Sequence, residues 1–300
     1  MYRHIMVPVD GSAFSDYALP AAAALARRTG ALLELVHVRA HPSVDASWVE
    51  DTANRLRVTE GIDAFAAHLL DEGSIARTLL EHARRVHVDF VVMTTHGFGG
   101  MRPGAIGTVA QRMVHELEVP ILLLRPDRPT PATPDAPFFH HVLVPLDETA
   151  RSEEVLEAAR QLAYPFGSNV TLLRVVEHGA WPMNVIELRL DDVRRKASAR
   201  AYLERVAEEV ALKWVTPDLA VTAHESVASA ILDSADHVGA DVIAMATHGR
   251  TGVPRMVLGS IAADVLNAGR LPLLLFGPAA SRHLKQEEAA MRRSLEALSV

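Results

Sequence analysis

Two glycine-rich segments contain the residues of this sequence that are best suited to bind a ligand. In the first, Thr94-Thr95-His96-Gly97 is followed, after nine residues, by Gly107-Thr108; in the second, Ala246-Thr247-His248-Gly249 is followed, after nine, by Gly259-Ser260. Glycine allows a close approach of the backbone to a ligand, and amides at a helix start have no carbonyl partner. The two segments therefore predict a pair of phosphate-binding turns.

Each turn lies between an apolar stretch typical of a buried strand and a segment with apolar residues at helical spacing. The strands are expected at residues 90–93 and 242–245, and the helices start near Gly107 and Gly259. The positive end of the helix dipole would then face the turn. Neighbours on the chain are assigned to the same candidate sites: Met93, Val109, Met245 and Ile261.

A carboxylate follows the first strand of each half, Asp10 after residues 5–9 and Asp147 after residues 142–146. Open parallel sheets bind ligands at this end of their strands. These aspartates could accept hydrogen bonds from a ribose or adenine, hold Mg²⁺ with a nucleotide, or act as helix N-caps. The preceding residues Pro8, Val9, Pro145 and Leu146 belong to the same candidate sites.

Regular offsets indicate an internal duplication. Asp147 lies 137 positions after Asp10, whereas His248 lies 152 positions after His96. The difference is an insertion in the middle of the second half, where residues 185–212 predict a long helix.

Alternating strands and helices predict an α/β fold with two tandem, open, parallel five-stranded sheets of Rossmann-like type, each flanked by helices. Residues 1–126 and 140–278 are expected to form the two domains. A proline-rich linker at residues 127–139 and a helical tail at residues 279–300 complete the chain. The apolar last strands, at residues 119–124 and 271–276, need covering.

Bulk properties exclude several classes of protein. A net charge of -7 argues against a nucleic-acid partner, and no apolar run is long enough to cross a membrane. Cysteine is absent, which excludes disulfides and thiolate metal sites and fits a cytoplasmic protein. No histidine spacing indicates a metal site.

Each half resembles a universal stress protein domain, in its Val-Pro-Val-Asp or Val-Pro-Leu-Asp strand end and in its Thr-His-Gly, nine-residue, Gly-Thr/Ser loop. The resemblance implies a tandem protein that binds ATP or AMP, regulates stress survival, hydrolyses ATP slowly or not at all, and pairs its halves through their last strands. It also implies backbone contact between Val38 or Val175 and the adenine. In the family's nucleotide-binding loops a glycine stands where this chain has Thr94 and Ala246.

Other interpretations stay open from the sequence. Thr108 and Ser260 could be helix-capping hydroxyls, and Thr108 with Gln111 has the spacing of a capping box. His96 and His248 could donate to phosphate or bond a neighbouring carbonyl. The chain could also be an interaction protein without a nucleotide, whose halves form a pseudo-dimer. Whether two chains associate as a homodimer is not predicted.

Overall fold

The computed structural model describes residues 1–39, 46–71, 73–96, 106–126, 139–177, 185–211, 215–247 and 258–283. The described elements of the first half are β1 (His4–Pro8), α1 (Ala13–Asp16), α2 (Leu19–Thr29), β2 (Leu32–Arg39), α3 (Ser47–Glu60), β3 (Ala64–Leu70), α4 (Ile75–Arg85), β4 (Phe90–Thr94), α5 (Thr108–Glu116) and β5 (Ile121–Leu124).

The second half repeats this order. Its elements are β6 (His141–Pro145), α6 (Ala150–Glu153), α7 (Val155–Ala163), a short 3-10 helix (Tyr164–Phe166), β7 (Asn169–Glu177), α8 (Val185–Ala211), β8 (Asp218–His224), α9 (Val227–Val238), β9 (Val242–Ala246), α10 (Ser260–Ala268) and β10 (Leu273–Phe276). The insertion predicted in the second half is α8, which has 27 residues where α3 has 14.

The ten strands form one sheet in the order β3-β2-β1-β4-β5-β10-β9-β6-β7-β8. Strands within each half pair in parallel, whereas β5 and β10 pair antiparallel, with Leu122 opposite Leu274. This confirms that the halves pair through their last strands. The two predicted five-stranded sheets are thus the two ends of one continuous sheet.

The central strands are apolar on both faces because helices cover both sides of the sheet. β4, β5 and β10 are buried along their whole length. Both core layers contain residues of both halves. The Tyr2 ring packs 4.1 Å from that of Phe90, and its hydroxyl donates to the Ala158 carbonyl of the other half at 3.1 Å. Burial raises the pKa of the Tyr2 hydroxyl.

Equivalent residues after β5 and β10 bind the ends of the opposite helices. The buried Arg125 guanidinium donates to the Leu266 and Asn267 carbonyls of α10, at 3.0 and 3.3 Å. Gly277, 152 positions later, lies so close to the end of α5 that a Cβ there would stand 2.3 Å from the Val114 carbonyl oxygen. The two helix ends therefore meet different partners, a cation in one case and bare backbone in the other.

Described residues at the edges of the predicted linker and tail pack on the body of the protein. Phe139, assigned to the linker, is buried and packs against Phe166. Arg125, at the start of the proline-rich stretch, is buried as well. Residues 278–283 are helical, with Ala279 and Ala280 buried in the body. Residues 127–138 and 284–300 lie outside the described part. No helix in the described ranges is long and apolar enough to span a membrane.

Candidate functional site

The sheet order creates one switch point in each half. In the first half, β2 and β3 lie on one side of β1, and β4 and β5 lie on the other. In the second half, β7 and β8 lie on one side of β6, and β9 and β10 lie on the other. Loops that leave adjacent strands in opposite directions open a cleft at the carboxyl ends of those strands. Both pairs of predicted segments, the aspartate loops and the glycine-rich turns, begin at these ends.

The first aspartate loop is held by hydrogen bonds within itself. The Ser12 N–H and hydroxyl donate to Asp10 Oδ1, at 3.0 and 2.6 Å. Ser12 in turn caps α1 by accepting from the Ser15 N–H at 3.1 Å. The Asp10 N–H donates to the Ser15 hydroxyl at 3.3 Å. The helix cap is therefore Ser12, and Asp10 supports it.

The second aspartate loop repeats this network. Thr149 donates its N–H and hydroxyl to Asp147 Oδ1, at 3.0 and 2.6 Å, and caps α6 by accepting from the Ser152 N–H at 3.2 Å. The interpretation of Asp10 and Asp147 as N-caps is therefore wrong. Both side chains are partly exposed at the cleft, with one oxygen committed to the loop.

The glycine-rich turns end in matched helix starts. The Gly107 N–H donates to the Thr95 carbonyl and the Gly259 N–H to the Thr247 carbonyl, each at 2.8 Å. These glycines are themselves the N-caps, and no side chain caps α5 or α10. Capping by the hydroxyls, including the capping box with Gln111, is therefore wrong. Thr108 and Ser260 are the first helical residues, and both are exposed.

The first-turn amides of α5 and α10 consequently lack an intrahelical acceptor, as at every helix start. Neither first turn contains an acidic side chain that would compete for these amides. An anion at this position would meet several N–H donors and the positive end of the helix dipole. Val109 and Ile261, the second residues of the two helices, lie beside this position, and Ile261 is exposed.

Thr94 and Ala246 end β4 and β9 without adopting a positive φ. The backbone at these two positions does not require glycine. Thr94 donates its hydroxyl to the His96 carbonyl at 2.7 Å, and His96 Nδ1 lies 3.0 Å from the Thr95 hydroxyl with the ring buried. Gly97, His248 and Gly249 lie outside the described residues.

A cleft of about 190 Å³ occupies the switch point of the second half. It brings together every described residue predicted for this half: Pro145, Leu146, Asp147, Val175, Met245, Ala246, Gly259, Ser260 and Ile261. The cleft is smaller than the roughly 300–1,000 Å³ of a typical small-molecule site. A ligand of nucleotide size would therefore extend through the mouth of the cleft.

Val38 and Val175 lie just beyond the end of the neighbouring first strand. The Val9 N–H donates to the Val36 carbonyl, and the Leu146 N–H to the Leu173 carbonyl, as the last bonds on that side. Along a strand of a parallel sheet, two residues that are two positions apart direct their N–H and C=O groups toward the same neighbouring strand. The backbone groups of Val38 and Val175 therefore point into the space beyond β1 and β6, at the end of the cleft opposite the helix start.

Several lining residues were not predicted from the sequence: Ser152, Arg174, Glu177, Val227, Ile231, Thr247 and Ala262. The 137-residue offset could have singled out Arg174, because it pairs this arginine with His37 of the first half. Val227 and Ile231 are apolar residues one turn apart on α9, and from the sequence they cannot be distinguished from core residues.

Comparison with known proteins agrees with this architecture. The profile of the Universal stress protein family matches residues 1–125 and 138–277. The universal stress protein Rv2005c of Mycobacterium tuberculosis is 26% identical over 294 residues, which cover 90% of this chain and 96% of that protein. Rv1996 of the same organism is 27% identical over 249 residues, with 77% and 72% covered.

Solved structures share the fold. A functionally unknown protein from Pseudomonas aeruginosa superimposes with a TM-score of 0.71 at 15% identity, covering 97% of this chain and 98% of its own. A universal stress protein from Archaeoglobus fulgidus gives 0.65 at 16% identity, covering 91% and 98%. With the family profile matched once in each half, the chain belongs to the universal stress protein family.

Proposed function

We propose that this chain binds an adenine nucleotide, ATP or AMP, in one or both switch-point clefts and acts as a nucleotide-dependent regulator of the stress response in the cytoplasm. The observation that carries the proposal is the second cleft, where a helix start without a side-chain cap lies close to backbone groups at the strand ends. The regulatory role follows from the family and not from the geometry.

The residues present suit the parts of a nucleotide. The amides of the first turn of α10 would hold phosphate oxygens, with the Ser260 hydroxyl beside them. Asp147 would accept hydrogen bonds from the ribose, and the Val175 end would receive the base. Thr108, Asp10 and Val38 hold the same positions in the first half.

We expect ATP hydrolysis to be slow or absent. Asp147 Oδ1 already accepts two hydrogen bonds from Thr149, which commits this carboxylate to the loop and makes it a poor general base. In the described ranges no three acidic or histidine side chains are arranged to hold a metal ion. Mg²⁺ would accordingly arrive with the phosphates and keep most of its own water.

A charge introduced at the helix start tests the assignment without weakening the fold. Ser260→Asp places a carboxylate at the first position of α10, where the helix dipole stabilises an anion by about 0.3–1 kcal/mol. The same carboxylate repels phosphate. We expect calorimetry to show loss of the second site, with an unfolding midpoint equal to or above that of the wild type.

Ser260→Asn is the matched control, because it has the same shape without the charge and should retain binding. Thr108→Asp makes the corresponding test in the first half. Unchanged nucleotide stoichiometry in the Ser260→Asp, Thr108→Asp double variant would show that the helix starts do not bind phosphate.

The alternative function, an interaction protein whose halves form a pseudo-dimer, is favoured by the joining of the halves through β5 and β10. The two functions are compatible in structure and differ only in nucleotide binding, so the same calorimetry separates them. Light scattering on the eluted protein would show whether two chains associate.

A further inference from the structure

The two clefts differ at the end opposite the helix start. Position 148 is a glutamate with φ of +69°, whereas the equivalent Gly11 has φ of +82°. A left-handed conformation is unfavourable for a residue with a side chain. Strained residues of this kind cluster at functional sites, which directs attention to the contacts that the Glu148 side chain makes.

Glu148 holds an arginine at the cleft. Arg174 Nε donates to Glu148 Oε1 at 2.9 Å, and the arginine side chain is only 13% exposed. Arg174 Nη1 also donates to the carbonyl of Val175. Arg174, Val175 and Glu177 all line the cleft. The guanidinium is thus fixed at the point where the Val175 backbone faces the cleft.

The first half has no such pair. His37 stands at the position of Arg174, and its Nδ1 lies 2.9 Å from the Val9 carbonyl oxygen. The Trp48 ring packs over Gly11 and against His37 on the same side. His37 thus bonds the Val9 carbonyl, whereas Arg174 bonds the Val175 carbonyl, and the two clefts present different hydrogen-bonding groups to the base.

The groups in the second cleft distinguish between purines. Adenine carries an amine at position 6, which would face the donor-only guanidinium of Arg174 beside the Val175 carbonyl. Guanine carries a carbonyl there, and arginine binds its O6 and N7 as a two-pronged donor. The Glu177 carboxylate at the same end could accept from the N1–H of a 6-oxopurine. Glu148 balances the charge of Arg174, which favours a neutral acceptor over a second phosphate.

We propose that the second cleft prefers a purine nucleotide with a carbonyl at position 6, a guanine nucleotide, through Arg174 positioned by Glu148, and that the first cleft prefers adenine nucleotides. The inference rests on the proposed nucleotide function of the clefts and assigns a base to each of them.

The test is calorimetry on the full chain, stripped of nucleotide, with AMP, GMP and IMP as probes. The wild type should bind GMP and IMP at a site that Ser260→Asp removes, and AMP at a site that Thr108→Asp removes. Arg174→Ala should weaken GMP by about tenfold or more, the value of one two-pronged contact. It should also tighten AMP at the second site, because the donor-only guanidinium that would face the adenine amine is removed.

Two further variants separate selectivity from folding. Glu148→Gly restores the residue found in the first half and relieves the left-handed strain, so it should fold at least as well while lowering the ratio of GMP to AMP affinity. His37→Ala, at the equivalent position of the first half, should leave GMP affinity unchanged.

The outcomes are distinguishable from failure of the proposed function. Binding of AMP alone by the wild type, or a GMP to AMP ratio that neither Arg174→Ala nor Glu148→Gly changes, overturns this inference and leaves the nucleotide function standing. Absence of binding by every nucleotide overturns both.

Discussion

Replacing the buried Glu34 with glutamine is expected to destabilise the protein in a strongly pH-dependent manner. The Glu34 side chain is 1% exposed and lies between two histidines. Its Oε2 is 2.9 Å from His4 Nε2, and its Oε1 is 2.6 Å from His82 Nε2. This cluster lies near the amino-terminal ends of β1 and β2, away from the cleft.

The partners of the two rings fix their protonation states. His4 Nδ1 faces the Val86 carbonyl at 3.3 Å while its Nε2 faces the carboxylate, so both nitrogens must donate and the ring is a cation. His82 Nδ1 faces the Arg85 guanidinium at 3.0 Å, which can only donate, so Nδ1 accepts and Nε2 donates to Glu34. The buried ion pair therefore consists of Glu34 and His4.

The pKa shifts agree with this assignment. The hydrogen bond that His4 donates to Glu34 raises the pKa of His4 above its ordinary value, although burial opposes the shift. Burial alone would raise the pKa of Glu34, but the hydrogen bonds from His4 and His82 outweigh it and lower that pKa. Each partner thus stabilises the charged form of the other.

Glu34→Gln leaves the His4 cation buried without its partner, which costs about 3–5 kcal/mol when one member of a buried pair is removed. Because the His4 pKa is raised in the folded state, the stability from this pair is complete below about pH 6.5, the unfolded value. It is lost as the pH rises through the folded pKa. Near pH 9 only a neutral hydrogen bond remains, worth about 1 kcal/mol.

The second half provides the matched control. Thr171 occupies the position of Glu34, and its hydroxyl lies 2.8 Å from His141 Nε2 in a pair without a carboxylate. Thr171→Val should cost about 1 kcal/mol at either pH. Urea unfolding at pH 6 and pH 9 measures both variants. A cost of Glu34→Gln that is equal at the two pH values, or no larger than that of Thr171→Val, would refute the buried ion pair.

Four further substitutions test the packing that positions the clefts. Gly277→Ala places a Cβ 2.3 Å from the Val114 carbonyl oxygen, and should lower stability by about 1–3 kcal/mol in urea unfolding, as overpacking does; a neutral effect would contradict the close approach of the halves. Arg125→Met removes donors from the end of α10 and should cost about 1.5–3 kcal/mol, with no change in calorimetric affinity at the first cleft. Ser12→Ala and Thr149→Ala each remove a helix cap and should cost about 1 kcal/mol; hydrogen exchange that is unchanged in α1 and α6 would count against the capping role.

Much of the fold follows from local pattern. α8 begins at the predicted residue 185 and ends one residue before the predicted limit of 212. The duplication strengthened the prediction of the topology, because the same order of strands and helices is expected in both halves. The apolar content of the last strands predicted that they need covering, and the family resemblance implied that the halves pair through them.

Details that depend on contacts distant in sequence were not predicted. Gly107 becomes the N-cap of α5 because its N–H bonds the Thr95 carbonyl, twelve positions earlier, and nothing in the local sequence favours it over Thr108. Arg125 is buried against α10 of the other half, and Phe139 packs against Phe166, 27 positions later. Glu148, which pairs with Arg174, has a left-handed backbone conformation. A glutamate in the sequence does not predict this conformation.

Identification of the nucleotides released when the purified protein is denatured, by mass spectrometry, tests the central claim most directly when combined with calorimetry on the stripped protein. The account predicts a released purine nucleotide, or binding of AMP or ATP in the calorimeter, at no more than two sites per chain. Failure of both, with no nucleotide released and none bound at millimolar concentration, would contradict the assignment of the switch-point clefts as nucleotide sites.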